Sequence, residues 1–336
     1  PERLLMQEEV PKKEAEVFLF EVGDRLHSCF CGCPPRLPPK LHESPVEHLH
    51  VVRFLAAGCI AIVCAGCSPK REPSQEPAAV RVVSLAPSLT EIVCAIAGPE
   101  VLVGRTSACD YPPEVIKNVP VIGGFGSPSL ETLLKLEPTV ILETDLADET
   151  LASQMTALGL HRERIKCRTL DDIPPAIERV GLLIGYEPQA RTLAAGLREG
   201  LAKVRAGSAA MAARPKVYAE IWNDPMMTAG KTTFLSEVIT LAGGENIGNE
   251  VEKDYFQVDP EWVVAKNPDI IFCFYMGRQG SARETVLKRP GWQQIRAVTN
   301  GAVFDGLENN VILRPGPRML DGIRLIRERI APVPAQ

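Results

Sequence analysis

The chain has 336 residues, of which 45% are hydrophobic and 24% are charged, and its formal net charge is -5. This length allows two domains of ordinary size, and the hydrophobic content is sufficient for their cores. The mild negative charge argues against a nucleic-acid partner, which needs a basic surface, and no basic run is longer than Lys70-Arg71.

Residues 1–50 do not have the pattern of a folded domain, because prolines crowd together and apolar periodicity is weak. We expect this leader to be unstructured. A hypothesis that stays open is that translation begins further along, at Met6 or at a valine such as Val51. The cluster Cys29-Phe-Cys31-Gly-Cys33 has no second cluster near it, so it is a weak signal for a metal site.

Residues 51–67 have the pattern of a lipoprotein signal peptide. Arg53 precedes an apolar run over 54–65, which is too short to span a bilayer but fits the core of a secretory signal. Ala65-Gly66-Cys67 resembles the lipobox of bacterial lipoproteins, which implies lipidation of Cys67 and a membrane anchor. A plain signal peptide or a short buried helix is the alternative. Residues 68–79, rich in Pro, Glu and Ser, then indicate a flexible tether.

Strands and helices alternate over residues 80–172, which we expect to form an N-terminal lobe. Helices are predicted at 89–97, 130–136 and 149–158, and strands at 82–85, 101–104, 140–142 and 164–167. This alternation predicts an α/β fold in which helices cover both faces of a parallel sheet.

Residues 173–210 are predicted to form a crossover helix at 173–184 and a long bridging helix at 188–206. Apolar side chains follow the three-and-four spacing of one helix face at Ala190, Leu193, Ala194, Leu197, Leu201 and Val204. Pro188 suits the first turn of the second helix, and Gly185 closes the first. We expect the long helix to join two lobes; an ordinary surface helix of one domain is the alternative.

Residues 211–332 repeat the pattern and are expected to form a C-terminal lobe. Strands are predicted at 217–221 and 270–274, and helices at 234–241 and 261–266. Residues 131–142 align without gaps on 261–272, and Thr90-Glu91-Ile-Val resembles Ser236-Glu237-Val-Ile. Two lobes of similar plan joined once would leave a cleft between them, where ligands bind.

Residues for catalysis are scarce after the lipobox. His161 is the one histidine there, which supports neither a histidine-based triad nor a multi-histidine metal site. The segment 228–232 matches the end of a phosphate-binding loop, but Pro225 stands where that loop needs glycine, so we interpret Gly230-Lys231-Thr232 as a turn before a helix. We therefore expect no enzyme, no metal and no cofactor. Buried free thiols are expected at Cys94, Cys109, Cys167 and Cys273.

Aromatic and polar side chains are predicted to follow several strands, where ligands of open α/β sheets bind. These positions are Phe125, Trp222, Tyr255, Tyr275 and the segment 308–314. In a chain with only 5% aromatic residues, a few aromatics at strand ends would give a flat lining suited to a large planar ligand.

An ordered series of motifs over residues 81–332 resembles the cobalamin-binding branch of the iron-siderophore and cobalamin substrate-binding proteins of ABC importers. The resemblance implies two Rossmann-like lobes with central parallel sheets, joined by a single long helix, and a corrinoid in the cleft. The motifs are Arg81-Val-Val-Ser-Leu-Ala-Pro-Ser-Leu-Thr-Glu91, Cys109-Asp-Tyr-Pro-Pro113, Gly123-Gly-Phe125, Leu130-Glu131, Leu136-Glu-Pro138, Gly243-Gly-Glu-Asn-Ile247 and Arg314-Pro-Gly-Pro-Arg318.

The same resemblance implies a role for particular residues. Glu131 and Glu237 would be exposed carboxylates, one on each lobe, that meet arginines of the membrane permease. Ala108 and Thr144 depart from the resemblance, because a relative can carry aromatics there. Ligand contacts are implied at Asp110, Tyr111, Phe125, Trp222, Tyr255, Asn310 and Arg314.

The expected protein is thus a monomeric, extracytoplasmic lipoprotein that works with an ABC permease and its ATPase. Two alternatives stay open: a haem or ferric-siderophore binding protein of the same class, and a secreted Rossmann-type enzyme that uses a nucleotide. A zinc or manganese receptor is disfavoured by the missing histidines.

Overall fold

A computed structural model describes residues 79–145, 148–275 and 280–333. These residues fall within one unit, Pro77–Gln336. The predicted leader, the signal peptide with Cys67 and all of the tether before residue 79 lie outside the described residues. Within the described part, no helix has both the length and the hydrophobicity needed to cross a membrane.

Two sheets form the cores of two lobes. The strands are β1 (Val82–Ser84), β2 (Leu102–Arg105), β3 (Gly123–Gly124), β4 (Ser127–Pro128), β5 (Val140–Thr144), β6 (Arg162–Ile165), β7 (Lys216–Asn223), β8 (Met226–Ala229), β9 (Glu245–Asn246), β10 (Tyr255–Gln257), β11 (Ile270–Cys273) and β12 (Val303–Phe304). The N-lobe sheet is parallel, with strand order β2-β1-β5-β6, and the C-lobe sheet has the order β10-β8-β7-β11-β12 with β9 beside β7.

The helices lie on both faces of the two sheets. They are α1 (Pro87–Ala97), α2 (Pro113–Ile116), α3 (Leu130–Leu136), α4 (Glu149–Ala157), α5 (Ile173–Ile184), α6 (Glu187–Ala209), α7 (Phe234–Ala242), α8 (Pro260–Lys266), α9 (Ala282–Leu287), α10 (Arg296–Thr299), α11 (Asn309–Ile312) and α12 (Met319–Ile330). Local capping sets several starts: Ser129 accepts from the amide of Thr132, and Thr233 from that of Ser236.

The central strands are buried on both faces, as parallel strands between helix layers must be. Val82 and Val217 face the large core that runs through both lobes. The next residue along each strand faces the opposite side of the sheet, where Val83 packs in a second buried cluster of the N-lobe and Tyr218 in a second buried cluster of the C-lobe. The predicted parallel pairing is confirmed in the N-lobe and for β7, β11 and β12. β8 and β10, which were not predicted, add an antiparallel edge.

The long helix α6 joins the lobes, as predicted. Its 23 residues span about 34 Å at 1.5 Å per residue. It contacts α1 in the N-lobe and both α7 and α12 in the C-lobe. Its start is held against α5 by a close approach: a Cβ at Gly181 would lie 2.3 Å from the Cβ of Ala190. The helix therefore packs as a shared wall and not as a free linker.

The predicted internal repeat is visible in the backbone. α3 and α8 each have seven residues, with Glu131 and Glu261 both at the second position. Each helix ends at a non-glycine residue in the left-handed region, Glu137 with φ 43° and Asn267 with φ 47°, directly before a proline. β5 and β11 then follow as central strands of their sheets. The two segments are structurally equivalent.

Candidate functional site

The loops at the carboxyl ends of both sheets meet at the short helix α11. Asn309 donates from Nδ2 to the carbonyl of Tyr275, which follows β11, at 3.2 Å. Asn310 donates from Nδ2 to Oδ2 of Asp110, which follows β2, at 2.8 Å. Ligands of open α/β sheets bind at this edge, so the predicted cleft lies where these loops approach each other.

Arg314, which follows α11, binds the N-lobe loop that follows β2. Its guanidinium donates to both carboxylate oxygens of Asp110, at 2.5 and 3.2 Å, and to the carbonyl of Ala108 at 3.3 Å. It also lies 3.4 Å from Oε1 of Glu91. Three of the predicted ligand residues, Asp110, Asn310 and Arg314, are therefore brought together and bind one another.

Arg318 forms the inner half of the same cluster. It donates to both carboxylate oxygens of Glu91, at 2.8 and 2.5 Å. Its guanidinium also stacks on the ring of Tyr111, 3.7 Å from the ring centre. Burial by itself would lower the pKa of Arg318, but the hydrogen bond to Glu91 and the charges of Glu91, Tyr111 and Asp110 together outweigh it and raise that pKa. The four ionised groups, two carboxylates and two guanidiniums, add to zero charge.

Sequence reasoning did not select Glu91 or Arg318 as functional, although both stand inside the motifs that carried the resemblance. The sequence of α1 did contain a signal, because Glu91 occurs among apolar residues. In the structure its side chain is only 3% exposed. Buried carboxylates need a partner. The sequence gives no means of choosing that partner among distant arginines.

The C-lobe contributes an aromatic wall, which we define as Trp222 and Tyr255. Trp222 pairs with Met227, and Tyr255 pairs with Ala229 two residues further along β8. Side chains directly opposite each other share a face, so both aromatic rings project from the same side of the sheet. Tyr255 is 40% exposed, and the indole of Trp222 is held by a hydrogen bond from Nε1 to the carbonyl of Asp224 at 2.8 Å.

Phe125 is placed differently from this wall. It follows the β3 strand of the N-lobe and is partly buried against the large core. Tyr111 is 38% exposed and lies beside the ionic cluster, which we define as Glu91, Asp110, Arg314 and Arg318. The predicted contacts thus lie in three places: the aromatic wall on the C-lobe, the ionic cluster with Tyr111 beside it, and Phe125 against the large core.

The two glutamates expected to meet the permease differ from each other. Glu131 is exposed and pairs with Lys135 within the same helix at 2.6 Å. Glu237 is half-buried, and its Oε2 accepts a hydrogen bond from the backbone amide of Leu170 at 2.7 Å. Burial raises its pKa above the ordinary value. The expectation that Glu237 is an exposed carboxylate is therefore wrong, because its side chain packs between α7 and the start of the crossover.

The C-lobe residue equivalent to Glu131 is Glu261. It occupies the same position of the repeated helix and is exposed. The alignment of 131–142 on 261–272 already pairs the two, whereas the local match around Glu237 was shorter. Glu261, unlike Glu237, has both the equivalent backbone position and a side chain open to solvent.

The phosphate-loop-like segment and the cysteines that the sequence singled out have structural roles. Thr233 caps α7 and Lys231 pairs with Glu252, so residues 230–232, which follow β8, form the predicted turn before a helix. Cys109 and Cys167 are buried free thiols, the Cys273 side chain is buried, and Cys94 is partly exposed. In the part of the chain that the structure describes, no three His, Cys, Asp or Glu side chains are grouped as for a metal ion.

Comparison with known proteins gives a family match over most of the folded part. A family model described as "Periplasmic binding protein" matches residues 82–308. The chain is 28% identical over 270 residues to an uncharacterized ABC transporter substrate-binding lipoprotein, YvrC, of Bacillus subtilis. That alignment covers 78% of this chain and 82% of the relative.

Two solved structures share the fold at similar identity. The periplasmic vitamin B12-binding protein BtuF of Vibrio cholerae is 27% identical, with a TM-score of 0.64, over 75% of this chain and 96% of that one. The periplasmic heme-binding protein RhuT from Roseiflexus sp. RS-1 is 27% identical, with a TM-score of 0.66, over 75% of this chain and 99% of that one.

Proposed function

Because the chain belongs to the periplasmic binding protein family of ABC transporters, we propose that it binds cobalamin or a related corrinoid between its lobes and delivers it to a permease. No bond is made or broken in this role. The permease and its ATPase are the partners, and the chain acts as the extracytoplasmic receptor. The similarity to a vitamin B12-binding protein supports the ligand class.

The observation that carries the choice of ligand is the charge pairing of the cluster at the cleft. In the described part of the cluster around α11, the cationic side chains are Arg314 and Arg318, and each is already bound to a carboxylate of the protein. Haem carries two propionates, and ferric siderophores are commonly anionic, so unpaired cations in the site would favour the binding of both. The rim of a corrin ring is made of neutral amides, which a neutral site accommodates without leaving buried charge.

The aromatic wall supports the same ligand class. Trp222 and Tyr255 present two rings on one face of the sheet, and aromatic side chains give large contact area at small entropic cost. A planar macrocycle packs well on such a surface. Tyr111 and Phe125 are the N-lobe residues that we propose as further ligand contacts.

A haem receptor is the second candidate. It is favoured by the similarity to the heme-binding protein RhuT, whose identity to this chain equals that of the vitamin B12-binding protein. A haem ligand would require at least one of the paired arginines to exchange its protein carboxylate for a propionate. The two candidates therefore differ in what they demand of Arg314 and Arg318.

We further propose that Cys67 is lipidated and anchors the protein to the membrane through the 68–79 tether. The relative named as a lipoprotein supports this. For permease docking we propose Glu131 and Glu261, one exposed carboxylate on each lobe. Exposed ion pairs add about 0 to 1 kcal/mol each, so they would fix orientation and speed association more than they add affinity.

A calorimetric titration of the full chain with cyanocobalamin, cobinamide, haem and a ferric siderophore tests the proposal. Saturable one-to-one binding of the corrinoids with a Kd below about 1 μM is the expected result. Binding of haem or the siderophore alone would keep the transport role and refute the corrinoid. If a folded sample bound none of them, the secreted-enzyme alternative would return.

A matched pair of tryptophan variants locates the ligand. Trp222→Ala removes an aromatic anchor and should weaken cyanocobalamin binding by about 2 kcal/mol, roughly thirtyfold. Trp262→Ala is the control, because Trp262 lies on α8 and its ring packs edge-on against Phe256 and not on the aromatic wall. Equal loss in both variants, or no loss in Trp222→Ala, would contradict the placement of the ligand.

A further inference from the structure

The ionic cluster connects the two lobes at a point remote in sequence from the bridging helix. Glu91 and Asp110 belong to the N-lobe, in α1 and in the loop after β2, while Arg314 and Arg318 lie in the C-lobe segment between α11 and α12. The partners are 204 to 227 residues apart along the chain. Every strong ion pair of the cluster therefore crosses from one lobe to the other.

The inner pair of the cluster is shielded from water. The side chains of Glu91 and Arg318 are 3% and 19% exposed. Arg318 lies between two N-lobe groups, the carboxylate of Glu91 and the ring of Tyr111. Its guanidinium is thus fixed in direction as well as in position, because bidentate and stacked contacts have a narrow geometry.

The outer pair is more open but shares the same arginine segment. Asp110 is 49% exposed and Arg314 is 14% exposed, and Asn310 adds a neutral hydrogen bond to the same carboxylate. The backbone between the arginines also touches the N-lobe, since a Cβ at Gly316 would lie 3.7 Å from Ser88. The middle of the segment therefore lies beside the N-terminal end of α1.

Charge and hydrogen bonding at these residues are satisfied within the protein. A residue that contacts a ligand commonly keeps an unused donor or acceptor, whereas the carboxylate of Asp110 accepts from two side chains and Arg314 donates to three groups. If the lobes separated, all of these bonds would break together. Paired charges of this kind contribute more to a fixed register than to net stability.

We propose that Glu91, Asp110, Arg314 and Arg318 form an interlobe clamp that sets the separation of the cleft walls and slows ligand release. Asp110, Asn310 and Arg314 are then positioning residues, and the ligand is contacted by the aromatic side chains. The effect on release rests on the proposed function. The effect on lobe separation does not.

The first test measures the distance between the lobes in the ligand-free full chain. Spin labels on unnatural amino acids at Gln154 and Lys288, both exposed and on different lobes, report this distance by electron-electron double resonance. The expected result is a narrow distribution in the parent protein and a longer, broader one in Glu91→Gln, which leaves two guanidiniums without their shared carboxylate. An unchanged distribution in Glu91→Gln would overturn the clamp.

Two further variants make the test robust. Asp110→Asn changes only the outer, half-exposed pair, so it stays informative if Glu91→Gln does not fold; it should broaden the distribution to a smaller extent. Glu178→Gln is the matched control, because Glu178 binds Arg198 in the same bidentate way, at 2.7 and 2.8 Å, between α5 and α6. A response of the control equal to that of the clamp variants would refute the proposal.

The second test measures cyanocobalamin release by stopped-flow absorbance. Asp110→Asn weakens one charged hydrogen bond across the cleft, so this variant should raise koff about tenfold, with little change in kon. If Asp110→Asn weakened binding while the interlobe distance stayed narrow, Asp110 would be a ligand contact and the positioning role would be wrong. If the parent protein bound no cyanocobalamin, the proposed function would fail while the distance measurement still decided the clamp.

Discussion

The buried pair of Glu220 and Arg289 allows a quantitative prediction for the C-lobe. Both carboxylate oxygens accept from the Arg289 guanidinium at 2.5 Å, and the Tyr275 hydroxyl donates to one of them. The Glu220 side chain is fully buried and that of Arg289 is 13% exposed. Burial is the main cause that raises the pKa of Tyr275, and the charge of Glu220 is the second. The hydroxyl therefore keeps the proton that it donates.

Arg289→Met would leave the Glu220 carboxylate buried without a counter-charge. Removing one partner of a buried pair costs about 3 to 5 kcal/mol, a large part of the roughly 5 to 15 kcal/mol that stabilises a typical protein. Glu220→Met should cost a similar amount for the opposite charge. The double variant removes both charges, so its loss should be smaller than the sum of the two single losses by about 2 kcal/mol or more.

Urea unfolding at neutral pH, followed by circular dichroism and tryptophan fluorescence, measures these losses. Trp292 is a local reporter, since the Arg289 guanidinium lies 4.5 Å from its ring centre. Lys288→Met is the control: its pair with Glu284 is exposed, and the variant should lose no more than about 0.5 kcal/mol. Strict additivity of the two single variants would refute the idea that the pair is a coupled buried unit.

Three further predictions concern docking, pH and thiol chemistry. Glu131→Ala combined with Glu261→Ala should leave cyanocobalamin affinity unchanged and weaken stimulation of the reconstituted transporter's ATPase; the same loss from Glu237→Ala alone would restore the original assignment. Since burial raises the folded-state pKa of Glu237, its contribution to stability is present at acid pH and lost as pH rises through that pKa; Glu237→Gln should remove this loss, as urea unfolding from about pH 4 to pH 8 can show. Burial raises the pKa of Cys167 to about 12, so iodoacetamide at pH 8 should label it only after denaturation, and mass-spectrometric labelling of the native protein would contradict this.

Local pattern was a reliable guide to most elements of the fold. The predicted helices at 130–136 and 173–184 match α3 and α5 at both ends. Their limits are set by signals within a few residues, such as the Ser129 cap and Gly185 in the left-handed region. β6 begins two residues before the predicted strand, because its two arginines, Arg162 and Arg164, pair with the buried Glu143 of β5.

Several elements of the fold were not predicted. α12 has regular helical spacing but many charged residues, and its stability comes from packing on α7 and α6. A Cβ at Gly200 would lie 2.3 Å from Leu320, which shows how closely α6 and α12 approach. β8 and β10 are short, and their pairing with β7 depends on residues far along the chain. Tertiary contacts decide such segments more than propensity does.

The sequence by itself determined the alternation of strands and helices, the long central helix and the internal repeat, because periodicity, caps and turns act over a few residues. The plan of two lobes joined by that helix was implied by the family resemblance. Only the tertiary structure decided which charges meet. It paired Glu91 with Arg318 across 227 residues, buried Glu237 against Leu170 and left Glu261 open to solvent. Partner choice among like charges depends on distance and burial, and both are fixed only when the lobes pack together.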